Sequence, residues 1–194
     1  MCGGSGLRGV HCASRIPRAP TMAIELYAAT VPPLSRAMDQ LQHILAKGAA
    51  HAEAQGWDPA VLLAMRLAPD MLPLIRQVQI ATDIAKNAAA RLTATQAPVF
   101  EDNETTFAEL QARAQRAADY LRSVPADAFA GAETRAITIP TRGNGDLHFI
   151  GTHYAFGFVL PNVYFHSSIA YSLLRNAGVP LGKADYIGPP PAQG

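Results

Sequence analysis

Apolar residues recur at steps of three and four positions along four stretches of the chain, and this spacing predicts four long amphipathic helices. The first stretch covers about 23–54, the second runs from Asp70 to about Ala94, the third follows Thr106, and the fourth covers 151–178. The fourth stretch is the most apolar, and its predicted inward face consists of Phe158, Asn162, Phe165, His166, Ile169 and Leu173. The pattern therefore predicts an all-α fold.

Turn and capping signals predict where these helices begin and end. Pro32–Pro33 should either kink the first helix or start its main part, because proline lacks a backbone donor. Asp58–Pro59 predicts a short extra helix, with an acidic N-cap followed by proline at the first helical position. Thr106 and Glu109 have the spacing of a capping box, and Gly178 is typical of a helix end.

The period of the pattern changes before the fourth helix. Ala136–Ile139 and Leu147–Ile150 are short β-like runs on either side of a Gly- and Asn-containing turn at 141–146. They predict a small hairpin inserted between the third and fourth long helices. The glycines of the turn do not have the spacing of a phosphate-binding loop, so a nucleotide site is not indicated.

Composition favours one globular domain. Hydrophobic residues make up 49% of the 194 positions, charged residues make up 16%, and the formal net charge is +1. No basic stripe with interleaved aromatics indicates a nucleic-acid partner. No apolar run approaches the roughly 18 residues of a membrane span. The two cysteines, Cys2 and Cys12, lie in the first stretch, so the cytoplasm is the default compartment.

The two ends of the chain differ from its body. Residues 1–21 are Gly-rich and contain three arginines but no acidic residue. We expect them to be a disordered extension or a mis-assigned start, with Met22 as the working initiator. Residues 22–188 form the predicted helical-bundle domain, and 189–194 a mobile tail.

Candidate chemistry concentrates on the fourth helix. His166 is the best single candidate, because a histidine on an apolar stripe needs a partner and titrates near neutral pH. Asn162 lies one turn before it, and His153 lies at the start of the helix. On the second helix, Gln77 lies at the edge of the seam, where it could line a cavity or hydrogen-bond to a neighbour. With Arg76 and Tyr164, the residues Gln77, Asn162 and His166 form the predicted ligand-binding set.

Four segments of the chain resemble a known family. They are 65–79 (MRLAPDMLPLIRQVQ), 100–106 (FEDNETT), 160–166 (LPNVYFH) and 182–188 (GKADYIG). These segments are similar to the domain-of-unknown-function family numbered nineteen-ninety-three, which is related to the DinB/YfiT-like helical bundles. The resemblance covers about 22–188 and implies an up-down-down-up four-helix bundle that is often a homodimer.

The resemblance also implies a metal position. Members of the wider superfamily hold nickel or zinc with one histidine from the second long helix and two from the last. Carried over by position, those ligands correspond to Gln77, Asn162 and His166. This chain therefore keeps one histidine and has amides at the other two positions, and amide oxygens are poor ligands for such ions.

Three hypotheses follow from the sequence. The first is a bundle that binds a small molecule and has a degenerate metal site at Gln77, Asn162 and His166. The second is a metal-dependent transferase or hydrolase, in which His166 is a ligand and the metal activates a water or a thiol. In that case Asn162, His153, His148 or Asp83 completes the metal site. The third is a non-catalytic dimeric structural protein whose polar core residues satisfy one another.

Overall fold

The computed structural model describes Met1 and residues 24–141, 143 and 145–190. Apart from Met1, the predicted extension at 1–21 with Cys2 and Cys12 lies outside the described residues, as does most of the tail. The described elements are α1 (Leu26–Gln55), α2 (Pro59–Ala64), α3 (Leu74–Thr93), α4 (Phe107–Ser123), 3₁₀ turns at Ala126–Phe129 and Ala132–Thr134, β1 (Ala136–Ile139), β2 (Leu147–Ile150), α5 (Gly151–Tyr154), a π-helical turn at Ala155–Val159, α6 (Leu160–Asn176) and α7 (Lys183–Ile187).

Close contacts at Gly48 define the directions of three long helices. A Cβ atom at Gly48, near the end of α1, would lie 2.8 Å from Leu174 and 3.1 Å from Phe107. Leu174 is near the end of α6, so α1 and α6 run parallel. Phe107 starts α4, and Arg122 near its other end pairs with Asp39 of α1, so α1 and α4 run antiparallel. Glycine at position 48 lets the three helices approach closely.

The second long helix runs opposite to the last. Gln77 in the first turn of α3 contacts His166 of α6, and a Cβ atom at Gly151 would lie 3.3 Å from Leu92 near the end of α3. Since α6 is parallel to α1, both α3 and α4 run opposite to α1. The predicted up-down-down-up four-helix bundle is confirmed.

The small hairpin before the last helix is also confirmed. Strands β1 and β2 are antiparallel, with Ala136 opposite Ile150 and Ile139 opposite Leu147. The capping box at the start of α4 is present: the Thr106 hydroxyl accepts from the Glu109 amide, and the Glu109 carboxylate accepts from the Thr106 amide. Turn chemistry and capping were therefore reliable local signals.

The starts of α1 and α3 were not correctly determined by the sequence pattern alone. Helix α1 continues through Pro32–Pro33. Helix α3 begins at Leu74 with Pro73 as its N-cap, so the predicted start at Asp70 was wrong. Residues 67–71 instead form turns and bends, and the Met71 amide donates to the Ala68 carbonyl at 3.0 Å.

The inward face of α6 is rotated from the predicted one. Of the six predicted inward positions, Leu173 alone is fully buried, and Phe165 is 54% exposed. The buried positions of α6 are instead Val163, Ser167, Ala170, Leu173 and Leu174. The buried face thus lies about one residue, roughly 100°, from the predicted one.

A buried arginine joins α3 and α4 to the loop between them. Arg113 is 0% exposed, and its Nε donates to the Thr82 hydroxyl at 2.8 Å. Its terminal nitrogens pair with Glu104 at 2.9 Å, Asp83 at 2.9 Å and Asp102 at 3.0 Å. Two carboxylates of the acidic segment at 101–104 thus have a structural role. Over the described ranges, no helix has the length and apolarity that crossing a bilayer requires.

Candidate functional site

Gln77 and His166 meet at the seam between α3 and α6. Gln77 is buried in the first turn of α3, and His166 is half-buried in the second turn of α6. Nδ1 of His166 lies 2.7 Å from Oε1 of Gln77. The amide nitrogen of Gln77 donates to the carbonyl of Leu72 at 2.9 Å. The structure therefore brings two of the predicted site residues into direct contact.

This hydrogen-bond chain defines the protonation of the imidazole. The Leu72 carbonyl can only accept, so the amide nitrogen of Gln77 faces it and the amide oxygen faces His166. That oxygen can only accept, so Nδ1 of His166 carries the proton. Burial lowers the pKa of His166 below its ordinary value, which favours the neutral ring. The neutral ring then has its lone pair on Nε2.

The other predicted site residues have separate partners. The Asn162 amide donates to the Phe158 carbonyl at 2.6 Å, within its own helix. Arg76 pairs with Asp102 at 2.5 Å. Tyr164 lies on a different side of α6 from His166, where burial and its neighbour Tyr186 raise its pKa.

The donor set at Gln77, Asn162 and His166 does not fit nickel or zinc. It offers one imidazole, whose Nδ1 is already bonded to Gln77, together with two amides. His153 is exposed and lies thirteen residues before His166 on the same helix, roughly 20 Å away at 1.5 Å per residue. Within residues 24–141, 143 and 145–190, no group of three His, Cys, Asp or Glu side chains could hold a metal ion.

A larger concavity lies on the other side of α6. This cleft has a volume of about 920 Å³ and opens between the first half of α1, α6 and α7. Its lining is mostly apolar and includes the rings of Tyr27, Tyr164 and Tyr186. Tyr164 is the one residue of the predicted set that lines this cleft.

Two hydroxyl groups in the cleft lack hydrogen-bond partners. Ser35 of α1 and Ser167 of α6 are 6% and 4% exposed, and both side chains line the cleft. Neither hydroxyl oxygen has a partner in the part of the chain that the structure describes. An unpaired buried hydroxyl costs stability, so neither group is explained by the packing of the fold.

Helix α7 forms one wall of the cleft and is held by side chains of other helices. Arg36 of α1 donates to the carbonyls of Ile187 and Pro189. Asp185 pairs with His43 at 2.8 Å and with Lys47 at 3.0 Å. A backbone hydrogen bond from Gly182, followed by those from His43 and Lys47, holds the pKa of Asp185 far below its ordinary value. Helix α7 is thus held against α1 by ionic and polar contacts.

Sequence reasoning missed this cleft. Its walls come from Ser35, Ser167 and Tyr186, which are far apart in the chain. One local signal was available: Pro32 has no N–H, so the Ala28 carbonyl loses its usual helical donor, and both residues line the cleft. An apolar helix that contains Pro32 therefore indicated an irregular and accessible surface.

Comparison with known proteins identifies close relatives in sequence and fold. The sequence profile of the family described as Domain of unknown function (DUF1993) matches residues 26–187. A crystal structure of a DinB family member protein from Shewanella denitrificans is 42% identical to this chain. The match covers 87% of this chain and 95% of that one, with a TM-score of 0.80. A comparison with curated proteins found no match.

Proposed function

The chain belongs to the DUF1993 family of domains of unknown function, and we propose that this DinB-like bundle binds a small organic molecule in the cleft between α1, α6 and α7. One observation carries the proposal. Ser35 and Ser167 both line the cleft, and each carries a buried hydroxyl that has no partner among the described residues. A ligand with a polar group would supply the partners that the chain does not.

The size and lining of the cleft support this function. Ligand sites commonly enclose roughly 300–1,000 Å³ and combine apolar walls with a few polar groups. The cleft has a volume of about 920 Å³, apolar walls from Val31 and Ile44, and the tyrosine rings already described. A drug-sized molecule with a flat apolar body matches these properties.

The second part of the proposal is that Gln77, Asn162 and His166 form a degenerate metal site. Gln77 and His166 satisfy each other at 2.7 Å, and Asn162 bonds to its own helix. This closure supports a structural role for the three residues, and among the described residues it leaves the metal-dependent transferase or hydrolase without a ligand set. Asp83, offered earlier as an additional ligand, pairs with Arg113 and Lys86.

Binding of a neutral fluorescent dye, N-phenylnaphthylamine, tests the function. We expect one dye per chain in the wild type and loss of binding in Ser167→Leu, because leucine fills the cleft from a wall position. The matched control is Ala112→Leu, which adds the same side chain at an exposed position of α4. Equal dye binding by wild type and Ser167→Leu would contradict the proposal.

A homodimer and a cytoplasmic location remain part of the proposal. The exposed rings of Phe156 in the π-helical turn and of Phe165 in α6 support self-association, since large exposed apolar groups are typical of interfaces. Sedimentation velocity of the wild type and Phe165→Glu measures the assembly. A wild type that is monomeric at all concentrations would contradict it.

A further inference from the structure

We propose that the cleft selects anionic ligands and that Arg36 receives their acidic group. This inference rests on the proposed binding function and names its ligand class: an apolar or aromatic body with one carboxylate, sulfonate or similar group. Arg36 lines the cleft beside Ser35 on α1. Its position, its hydrogen bonds and the charges around it carry the inference.

The guanidinium of Arg36 is oriented but not neutralised. Its Nε donates to the Ile187 carbonyl at 2.8 Å, and Nη2 donates to the Pro189 carbonyl at 2.5 Å. Both acceptors are neutral, so the full positive charge remains. Nη1 has no hydrogen-bond partner among the described residues, and its two N–H groups remain available. An acidic group can therefore bind Arg36 while α7 stays in place.

Among the described residues that line the cleft, one cation has no ion-pair partner. The charged lining residues are Arg36, Asp39 and Arg122. Arg122 and Asp39 form an ion pair, which leaves Arg36. In the part of the chain that the structure describes, no carboxylate forms an ion pair with Arg36. Apolar walls lower the local dielectric constant and strengthen its attraction for an anion.

The remaining polar groups suit the same ligand. Ser35 and Ser167 line the same cleft, and their buried hydroxyls have no partners among the described residues. The rings of Tyr27, Tyr164 and Tyr186 offer apolar surface for that body. A charge-assisted hydrogen bond to guanidinium is roughly twice as strong as a neutral one, so the acidic group should dominate selectivity.

Two dyes that differ by one acidic group test the inference. N-phenylnaphthylamine is neutral, and anilinonaphthalene sulfonate adds a sulfonate to the same skeleton. We expect the wild type to bind the sulfonate at least about tenfold more tightly than the neutral dye. We also expect added salt to weaken sulfonate binding and to leave neutral binding unchanged. Both measurements use the wild-type chain, so neither depends on whether a substituted protein folds.

Variants then assign the preference to Arg36. Arg36→Gln should reduce the ratio of the two affinities to about one, because the charge that favours the sulfonate is gone and the ratio compares both dyes in the same variant. The control is Arg175→Gln, since Arg175 is exposed, donates to the Val179 carbonyl and does not line the cleft. It should keep the wild-type ratio.

The outcomes separate the two proposals. Neutral dye binding that Ser167→Leu abolishes, without a preference for the sulfonate, would overturn the anion inference and leave the binding function standing. A sulfonate preference that persists in Arg36→Gln would also overturn it. Sulfonate binding that Ser167→Leu does not reduce would place the dye outside the cleft and overturn both.

Discussion

At the scale of single residues, the buried hydroxyls of Ser35 and Ser167 are the feature on which the proposed binding function rests. A hydroxyl that contributes to the fold has a partner, and these two have none within the described residues. We expect Ser35→Ala and Ser167→Ala each to raise the free energy of unfolding of the ligand-free protein by about 1 kcal/mol, because an unpaired buried group is removed. Urea unfolding measures the change.

Ser172→Ala is the control for these two substitutions. Ser172 lies on α6, and its hydroxyl donates to the Ser168 carbonyl at 2.8 Å. All three variants share the higher helix propensity of alanine, but this one loses a hydrogen bond. A loss of stability in Ser167→Ala as large as that in Ser172→Ala would show that the Ser167 hydroxyl supports the fold.

His166 yields a second prediction at the same scale. Its pKa should lie below the ordinary 6.5, with the neutral ring protonated on Nδ1, as nitrogen-detected NMR can measure. Because this pKa is depressed in the folded state, the unfolded state takes up the proton first as the pH falls below about 6.5. His166 therefore lowers the free energy of unfolding as the pH falls through that window.

The Gln77→Glu variant tests the role of its neighbour. A carboxylate beside Nδ1 favours the imidazolium, so the pKa of His166 should rise above 6.5. Gln42→Glu is the control: it adds the same charge on α1, where Gln42 contacts Gln115 of α4, and it should leave the pKa of His166 unchanged. An unchanged pKa of His166 in Gln77→Glu would mean that the hydrogen bond between these two residues does not persist in solution.

At the scale of elements, the sequence predicted what neighbours along the chain determine. Periodicity located the long helices, the Thr106–Glu109 spacing located a helix start, and the turn at 141–146 located the hairpin. The face of α6 could not be predicted from the same information. A helix that is apolar on several sides has a weak period, so neighbouring stripes of α6 were equally plausible inward faces.

The Gln77–His166 contact and the cleft also differ in whether the sequence could predict them. The contact between Gln77 and His166 was predictable, because family positions fixed which residues of two helices face one seam. The cleft was not, since Ser35, Ser167 and Tyr186 are brought together by the packing of three elements. No local pattern records that packing.

Arg113 joins elements that are distant in the chain, and its removal should be costly. It is fully buried and pairs with Asp83, Asp102 and Glu104. We expect Arg113→Ala to lower the free energy of unfolding by about 3–5 kcal/mol, because it leaves buried carboxylate charge without a partner. Urea unfolding at neutral pH measures the loss.

Arg116→Ala is the matched control for that substitution. Arg116 lies on the same helix, its side chain is 59% exposed, and it is 3.9 Å from Glu104. Exposed ion pairs contribute less than about 1 kcal/mol, so this variant should remain near wild type. Equal losses in the two variants would refute a special role for the buried arginine.

At the scale of the whole molecule, the same network makes stability depend on acid. Burial alone would raise the pKa of Glu104, but hydrogen bonds from Gln79 and Arg113 outweigh it and hold that pKa below 4.5. Burial would also raise the pKa of Asp102, but the hydrogen bonds and charges of Arg76 and Arg113 outweigh it and hold that pKa below 3.8. Groups with depressed folded-state pKa values stabilise the fold above their unfolded values.

The contribution of this network to the free energy of unfolding should therefore be level above about pH 4.5 and fall steadily as the pH drops through the depressed pKa values. Urea midpoints measured between neutral and strongly acidic pH test this. Glu104→Gln should be less stable at neutral pH and show a weaker acid dependence, because one titrating partner of Arg113 is gone. Glu101→Gln, whose backbone carbonyl rather than carboxylate contacts Arg113, should keep the wild-type profile. If the Glu104 variant kept the full acid dependence, the network around Arg113 would not be its source.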